Sequence, residues 1–200
     1  FSEIVEGWMK GKLQMSDSEI QKLKTNLLEK LLLNSNMIGG DCGNDLGEIL
    51  HNLPVLKELN LSGNCLGDSP MATILNILKE NNSIETLMLS NNEITHGSAD
   101  AIAGFLSNNR SIKRLWINCN PIGPEGIKTI SQALSTNLVL EELNLSSTRM
   151  GDEGGKELFD NLKMNKSLKR LYCNCNNLEK ESMVKFGEYM KKDNENNYQD

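Results

Sequence analysis

Residues 56–66 read Leu56-Lys57-Glu58-Leu59-Asn60-Leu61-Ser62-Gly63-Asn64-Cys65-Leu66, with apolar side chains at Leu56, Leu59, Leu61 and Leu66 and an amide at Asn64. The same frame precedes it at Leu28, Leu31, Leu33, Asn36 and Ile38. It follows at Ile84, Leu87, Leu89, Asn92, Ile94 and at Ile112, Leu115, Ile117, Asn120, Ile122. Two more copies stand at Leu140, Leu143, Leu145, Thr148, Met150 and at Leu168, Leu171, Cys173, Asn176, Leu178. Every step is 28 residues, with no insertion. Fixed-period self-similarity of this kind marks a repeat architecture.

Each position in the frame has a physical role. The inner Leu-x-Leu alternates at period 2, as a short strand with one buried face does. The Asn of each copy (Asn36, Asn64, Asn92, Asn120, Asn176) falls where the chain leaves the strand. Its amide both donates and accepts, so a stacked column of Asn can satisfy the backbone of successive turns. Thr148 interrupts that column with a hydroxyl that makes fewer such bonds. Cys173 stands in for an inward Leu as a small apolar residue.

The rest of each period reads as a helix. Gly123-Pro124-Glu125-Gly126 supplies a turn, a Pro suited to the first helical position and an early acid. Ile127, Ile130 and Leu134 follow on one face, and Met71, Ile74, Leu78 and Ala99, Ile102, Leu106 occupy the same columns of other copies. Asn81, Asn109, Asn137 and Asn165 are expected to close the helices, because Asn tolerates the left-handed conformation. Gly39-Gly40 and Gly154-Gly155 are placed at the repeat turn. A strand–turn–helix unit cannot bury its apolar face alone, so neighbours must stack into a solenoid.

The eleven-residue frame at a uniform 28-residue period, with Ile122-Gly123-Pro124-Glu125-Gly126 and Met150-Gly151-Asp152-Glu153-Gly154, resembles the leucine-rich repeats of the ribonuclease-inhibitor-like family. The spacing is similar to that of NOD-like receptors and of cytoskeletal and ciliary scaffolds. The resemblance implies an α/β fold: a right-handed solenoid or horseshoe, with a parallel sheet on the concave face and helices on the convex face. Six repeats are expected over residues 28–190. Residues 1–27, with Phe1, Ile4, Val5, Trp8 and Met9 and then Ile20, Leu23 and Leu27 at helix-like spacing, read as a helical cap or degenerate half-repeat, a separate targeting helix being the alternative. Residues 191–200 read as a polar, disordered tail. The chain opens on Phe1 rather than Met, so a fragment or processed product is expected.

Composition bounds the function. The net charge of −6 and pI near 5.1 argue against a nucleic-acid partner, which calls for a basic stripe. No apolar run approaches the ~18 residues of a membrane span. Residues 1–100 carry 7 basic and 14 acidic side chains, against 14 and 13 in residues 101–200. The five Cys are too irregularly spaced for a disulfide framework, and Cys173 and Cys175 lie far in sequence from His51 and His96. Reduced thiols, a cytoplasmic location and no metal are therefore expected. The Asn-x-Ser sequons at Asn60, Asn81, Asn109, Asn144 and Asn165 follow the repeat and say little about secretion. No catalytic set, phosphate loop or ligand cluster is legible, so no enzyme, cofactor or small-molecule substrate is expected.

Three columns are expected to face away from the core: Lys30, Glu58, Thr86, Arg114, Glu142, Arg170; then Leu32, Asn60, Met88, Trp116, Asn144, Tyr172; then Asn34, Ser62, Ser90, Asn118, Ser146, Asn174. Met88, Trp116 and Tyr172, with Arg114 and Arg170 alongside, are the residue types of interface hot spots and mark a candidate protein-binding face. The competing reading is that large side chains on a concave sheet simply cover one another. A flanking column, Glu29, Lys57, Glu85, Lys113, Glu141, Lys169, alternates in sign and reads as a register-holding ladder. A non-catalytic protein-binding module is the expectation. The resemblance also includes GTPase-activating proteins for the Ran GTPase, though no acidic tail or activity loop of that kind is legible here. A purely structural segment of a cytoskeletal or ciliary assembly is the third possibility.

Overall fold

In a computed structural model of the chain, residues 11, 16–18, 20, 27–39 and 42–196 are described. Six short strands, β1 (Lys30–Leu32), β2 (Glu58–Asn60), β3 (Thr86–Met88), β4 (Arg114–Trp116), β5 (Glu142–Asn144) and β6 (Arg170–Tyr172), pair in parallel and in chain order into one open sheet. A helix follows each strand: α1 (Gly43–His51), α2 (Asp68–Leu78), α3 (Ala99–Asn108), α4 (Gly123–Thr136), α5 (Gly151–Leu162) and α6 (Lys180–Asn196). The register repeats without slip, Leu59 opposite Leu87, Leu87 opposite Leu115 and Leu115 opposite Leu143. This is a leucine-rich-repeat solenoid, sheet on the concave side and helices on the convex side.

The core is the stack of inward Leu and Ile from the strands against the inner helix faces. Leu59, Leu87, Leu115 and Leu143 are fully buried, as are Ile74, Ile102 and Ile130. Burying one such side chain is worth roughly 1.5–3 kcal/mol. The helices carry most of the contact between neighbouring units, and Phe159 of α5 meets Phe186 of α6 with ring centroids 5.1 Å apart.

The Asn column is a continuous hydrogen-bonded ladder over the first four repeats. Asn92 Oδ1 accepts from the backbone N–H of Asn64 (3.1 Å) and Leu66 (3.5 Å), while its Nδ2 donates to the carbonyls of Leu61 (2.9 Å) and Leu89 (3.1 Å). Asn64 and Asn120 repeat the arrangement one unit to either side. Asn36, at the start of the column, is exposed; Asn64, Asn92, Asn120 and Asn176 are buried. Left-handed residues flank the column, Asn91 and Glu93 beside Asn92 and Ser147 and Arg149 beside Thr148.

The second Asn column works differently from the expectation. The described helices end before or at its edge, and Asn109 and Asn137 are extended (ψ 136° and 131°), not left-handed. They act through side chains. Asn109 Oδ1 accepts from the N–H of Ser111 and Ile112, both at 2.9 Å, and its Nδ2 donates to the carbonyls of Leu78 (3.0 Å) and Asn81 (2.7 Å) in the preceding repeat. A side chain that closes its own turn and reaches the previous coil removes the need for a strained backbone. Asn60 and Asn144 likewise accept from Ser62 and Ser146, so the sequons are turn chemistry.

Three further expectations change. Gly154 and Gly155 lie inside α5, not at the turn; a Cβ on Gly155 would stand 2.8 Å from Ser182 Cβ, so the glycine lets α6 approach. The turn position is Gly151, at φ +63°. Leu27 is 75% exposed, because the chain there is already running toward β1 outside any helix, whereas Ile20 is buried in the core. Helix α6 continues to Asn196, beyond residue 190. Phe1, Ile4, Val5, Trp8, Met9 and Leu23 lie outside the described residues.

Candidate functional site

On the concave face, β3 to β6 bring outward residues of four repeats into register. Met88 lies opposite Trp116, Trp116 opposite Asn144, and Asn144 opposite Tyr172. Trp116 and Tyr172 are thus two strands apart, about 10 Å at the usual inter-strand spacing. Arg114 and Arg170 flank Glu142 in the same way. Met88, Arg114 and Trp116 are half-buried, and Arg170 and Tyr172 are exposed.

Glu142 organises this surface. Its Oε1 accepts the indole N–H of Trp116 at 3.0 Å, and its Oε2 accepts from Arg170 Nε at 2.8 Å and Nη2 at 2.7 Å. It is only 6% exposed, although its side chain leaves the sheet on the side away from the core. Trp116 and Arg170 cover it. Thr86, 4% exposed, is held likewise by Arg114, whose Nε donates to its hydroxyl at 2.8 Å. The outer columns are therefore not uniformly open: large side chains cover small or acidic ones, and the cover fixes their own orientation. Glu142 and Thr86 are absent from the residues picked by type alone. An acid flanked by two Arg, diagonal to an indole needing an acceptor, was the available signal.

The flanking charges pair off in twos and do not run on as a ladder. Lys57 meets Glu29 at 2.8 Å, Lys113 meets Glu85 at 3.1 Å and Lys169 meets Glu141 at 3.1 Å. Each cation reaches back to the preceding repeat only, among the described residues. A single ammonium gains more from one close carboxylate than from two at stretched distance, and these exposed pairs are worth little each.

Elsewhere, Asp68 and Asp152 stand in the first turn of α2 and α5 and reach into the next repeat. Asp152 Oδ1 accepts from the N–H of Glu179 (2.8 Å) and Ser182 (3.0 Å) and from the Ser182 hydroxyl (2.5 Å). The Ser182 hydroxyl, with the backbone donors, holds its carboxyl below the ordinary range. At Asp68 burial works in the opposite direction, and hydrogen bonds from Ser98 and Thr95 outweigh it to the same end. Burial raises the Cys173 thiol, and none of the five cysteines is in a disulfide. Among the described residues no group of three His, Cys, Asp or Glu side chains is placed to hold a metal ion. No helix among them is long and apolar enough to cross a membrane.

The chain is similar to leucine-rich-repeat proteins in the sequence of its repeats and in fold. The Leucine Rich repeat family model matches residues 52–71, 108–131 and 136–159. Among solved structures the chain is similar to leiomodin-1 actin-binding site 2, with 20% identity and a TM-score of 0.62, covering 92% of this chain and 91% of that one. It is also similar to the tropomodulin C-terminal domain of Caenorhabditis elegans, with 15% identity and a TM-score of 0.56, covering 90% of this chain and 95% of that one. No curated protein matches the sequence. At these identities the likeness concerns the fold.

Proposed function

We propose that this chain is a non-catalytic protein-binding module whose concave face, centred on Trp116 and Tyr172, recognises a protein partner, as a sensor or scaffold segment acting from the cytoplasm. The observation that carries this reading is the Trp116–Glu142–Arg170 cluster. Hydrogen bonds already fix the indole and the guanidinium, so a partner meets ordered groups and less rotamer freedom is lost on contact. Trp116 and Arg170 held this way, beside the exposed Tyr172, are the residue types of interface hot spots.

The named actin-binding site of leiomodin-1 makes purified actin the first defined probe. The test measures binding of actin, and of proteins captured from cell extract, to the chain and to a Trp116→Ala, Tyr172→Ala double variant of matched melting temperature. At least one partner bound by the parent should be lost by the variant. Identical binding by both proteins would move the site to the convex helices or the edges.

A further inference from the structure

The concave face carries one cation unlike the others. Lys30 meets Glu58 at 2.9 Å, Arg170 is bound to Glu142, and Lys57, Lys113 and Lys169 each hold a carboxylate. Arg114 holds only the hydroxyl of Thr86, through Nε. Its register neighbour Glu142 is committed, one oxygen to Trp116 and the other to Arg170. Among the described residues no carboxylate lies within ion-pairing distance of Arg114. The guanidinium is thus anchored at one edge, and its two amino groups have no acidic partner beside the half-buried surface of Met88 and Trp116.

We propose that Arg114 reads a carboxylate on the partner: an Asp or Glu side chain of a polypeptide segment, next to an apolar residue that lies on Met88 and Trp116. This rests on the concave face being the binding surface. A guanidinium covered by a partner must regain its hydrogen bonds, and its planar fork matches a carboxylate. Among the described residues the face offers one cation without an acidic partner, on a chain of net charge −6, so a single carboxylate fits and a dense polyanion is repelled.

The probe is a displayed random peptide library, panned on the full chain and counter-selected on a bare surface. Enriched peptides should share an Asp or Glu beside an apolar residue. Arg114→Gln, which keeps the stem and the fold, should weaken the strongest peptide at least about tenfold, Arg114→Lys less, and panning on Arg114→Glu should select basic peptides. Peptides lost on Trp116→Ala but without a shared acid, or indifferent to Arg114→Gln, would overturn the carboxylate and leave the face as the binding surface. Peptides indifferent to both substitutions, or no enrichment at all, would overturn both.

Discussion

Trp116 on β4 donates its indole N–H to Glu142 on β5 at 3.0 Å, and the same carboxylate holds Arg170 of β6. One acid from one repeat thereby sets the orientation of two large side chains from its two neighbours.

Replacing Glu142 should show how much that costs. Glu142→Gln keeps one acceptor but removes the charge, and about 1–3 kcal/mol of stability should go with it. Urea unfolding gives the magnitude, and the Trp116 indole N–H resonance reports the bond itself. An unmoved resonance with faster-exchanging neighbours would contradict the geometry. Glu141→Lys, one residue away, breaks a pair with Lys169 whose side chains are 37% and 65% exposed. It should lower the melting temperature by no more than a few degrees, about 1 kcal/mol or less, and added salt should shrink the difference.

Asn92 meets five backbone groups from the centre of the ladder. Asn92→Ala strands the buried N–H groups of Asn64 and Leu66, while the Leu61 and Leu89 carbonyls keep a donor each from Asn64 and Asn120, so a loss of about 3 kcal/mol is expected in chemical denaturation. A loss below about 1 kcal/mol would mean that water replaces the amide.

Thr148 breaks the ladder for a reason that lies in the preceding repeat. Cys65, Glu93, Arg149 and Asn177, the residues that follow the ladder position in other repeats, are left-handed. Pro121 occupies that place in the fourth repeat, and its ring forbids it. The Ile122 N–H turns instead to the Asn120 carbonyl at 2.8 Å, a three-residue turn around the proline, so one of the two N–H groups that a ladder Asn serves makes no demand on position 148. Thr148→Asn alone offers an acceptor to the Asn120 N–H but not to Ile122, half of what a ladder Asn serves elsewhere, so it should bring only part of the gain. Combined with Pro121→Asn it should be better than the single changes add up to, by about 0.5 kcal/mol or more in a double-mutant cycle. Strict additivity would separate the two residues.

Acid should loosen the joints between α2 and the next repeat and between α5 and α6. Asp68 and Asp152 have folded-state pKa values below the ordinary 3.8. The stability they contribute is complete above that value and is lost as pH falls through the lower, folded-state value. Melting curves from pH 6 to pH 2 should show a smaller acid-induced drop in Asp152→Asn than in the parent, from a lower starting point. Parallel curves would remove Asp152 from the acid response.

The architecture was legible because a repeat prints its geometry many times over. The 28-residue step sets the register, the Leu-x-Leu alternation assigns the buried face, and the Asn of each copy marks the turn. The helix-closing Asn column was legible as a position and misread as a conformation. Asn allows both a left-handed backbone and an Asx turn, and only the neighbouring coil's carbonyls decide between them. The glycines of α5 were misplaced for a similar reason, since a Gly pair at a turn and a Gly pair under a crossing helix look alike in one dimension.

The amino-acid sequence by itself determined the repeat, its strand and helix faces and the set of side chains that share the open face, because those follow from periodicity along the chain. Only the tertiary structure decided that Glu142 lies beneath Trp116 and Arg170, that the flanking charges pair in twos, and that Arg114 has no acid within ion-pairing distance among the described residues. These depend on which neighbour across adjacent strands a long side chain reaches, and that choice is a competition among distances that no one-dimensional pattern encodes.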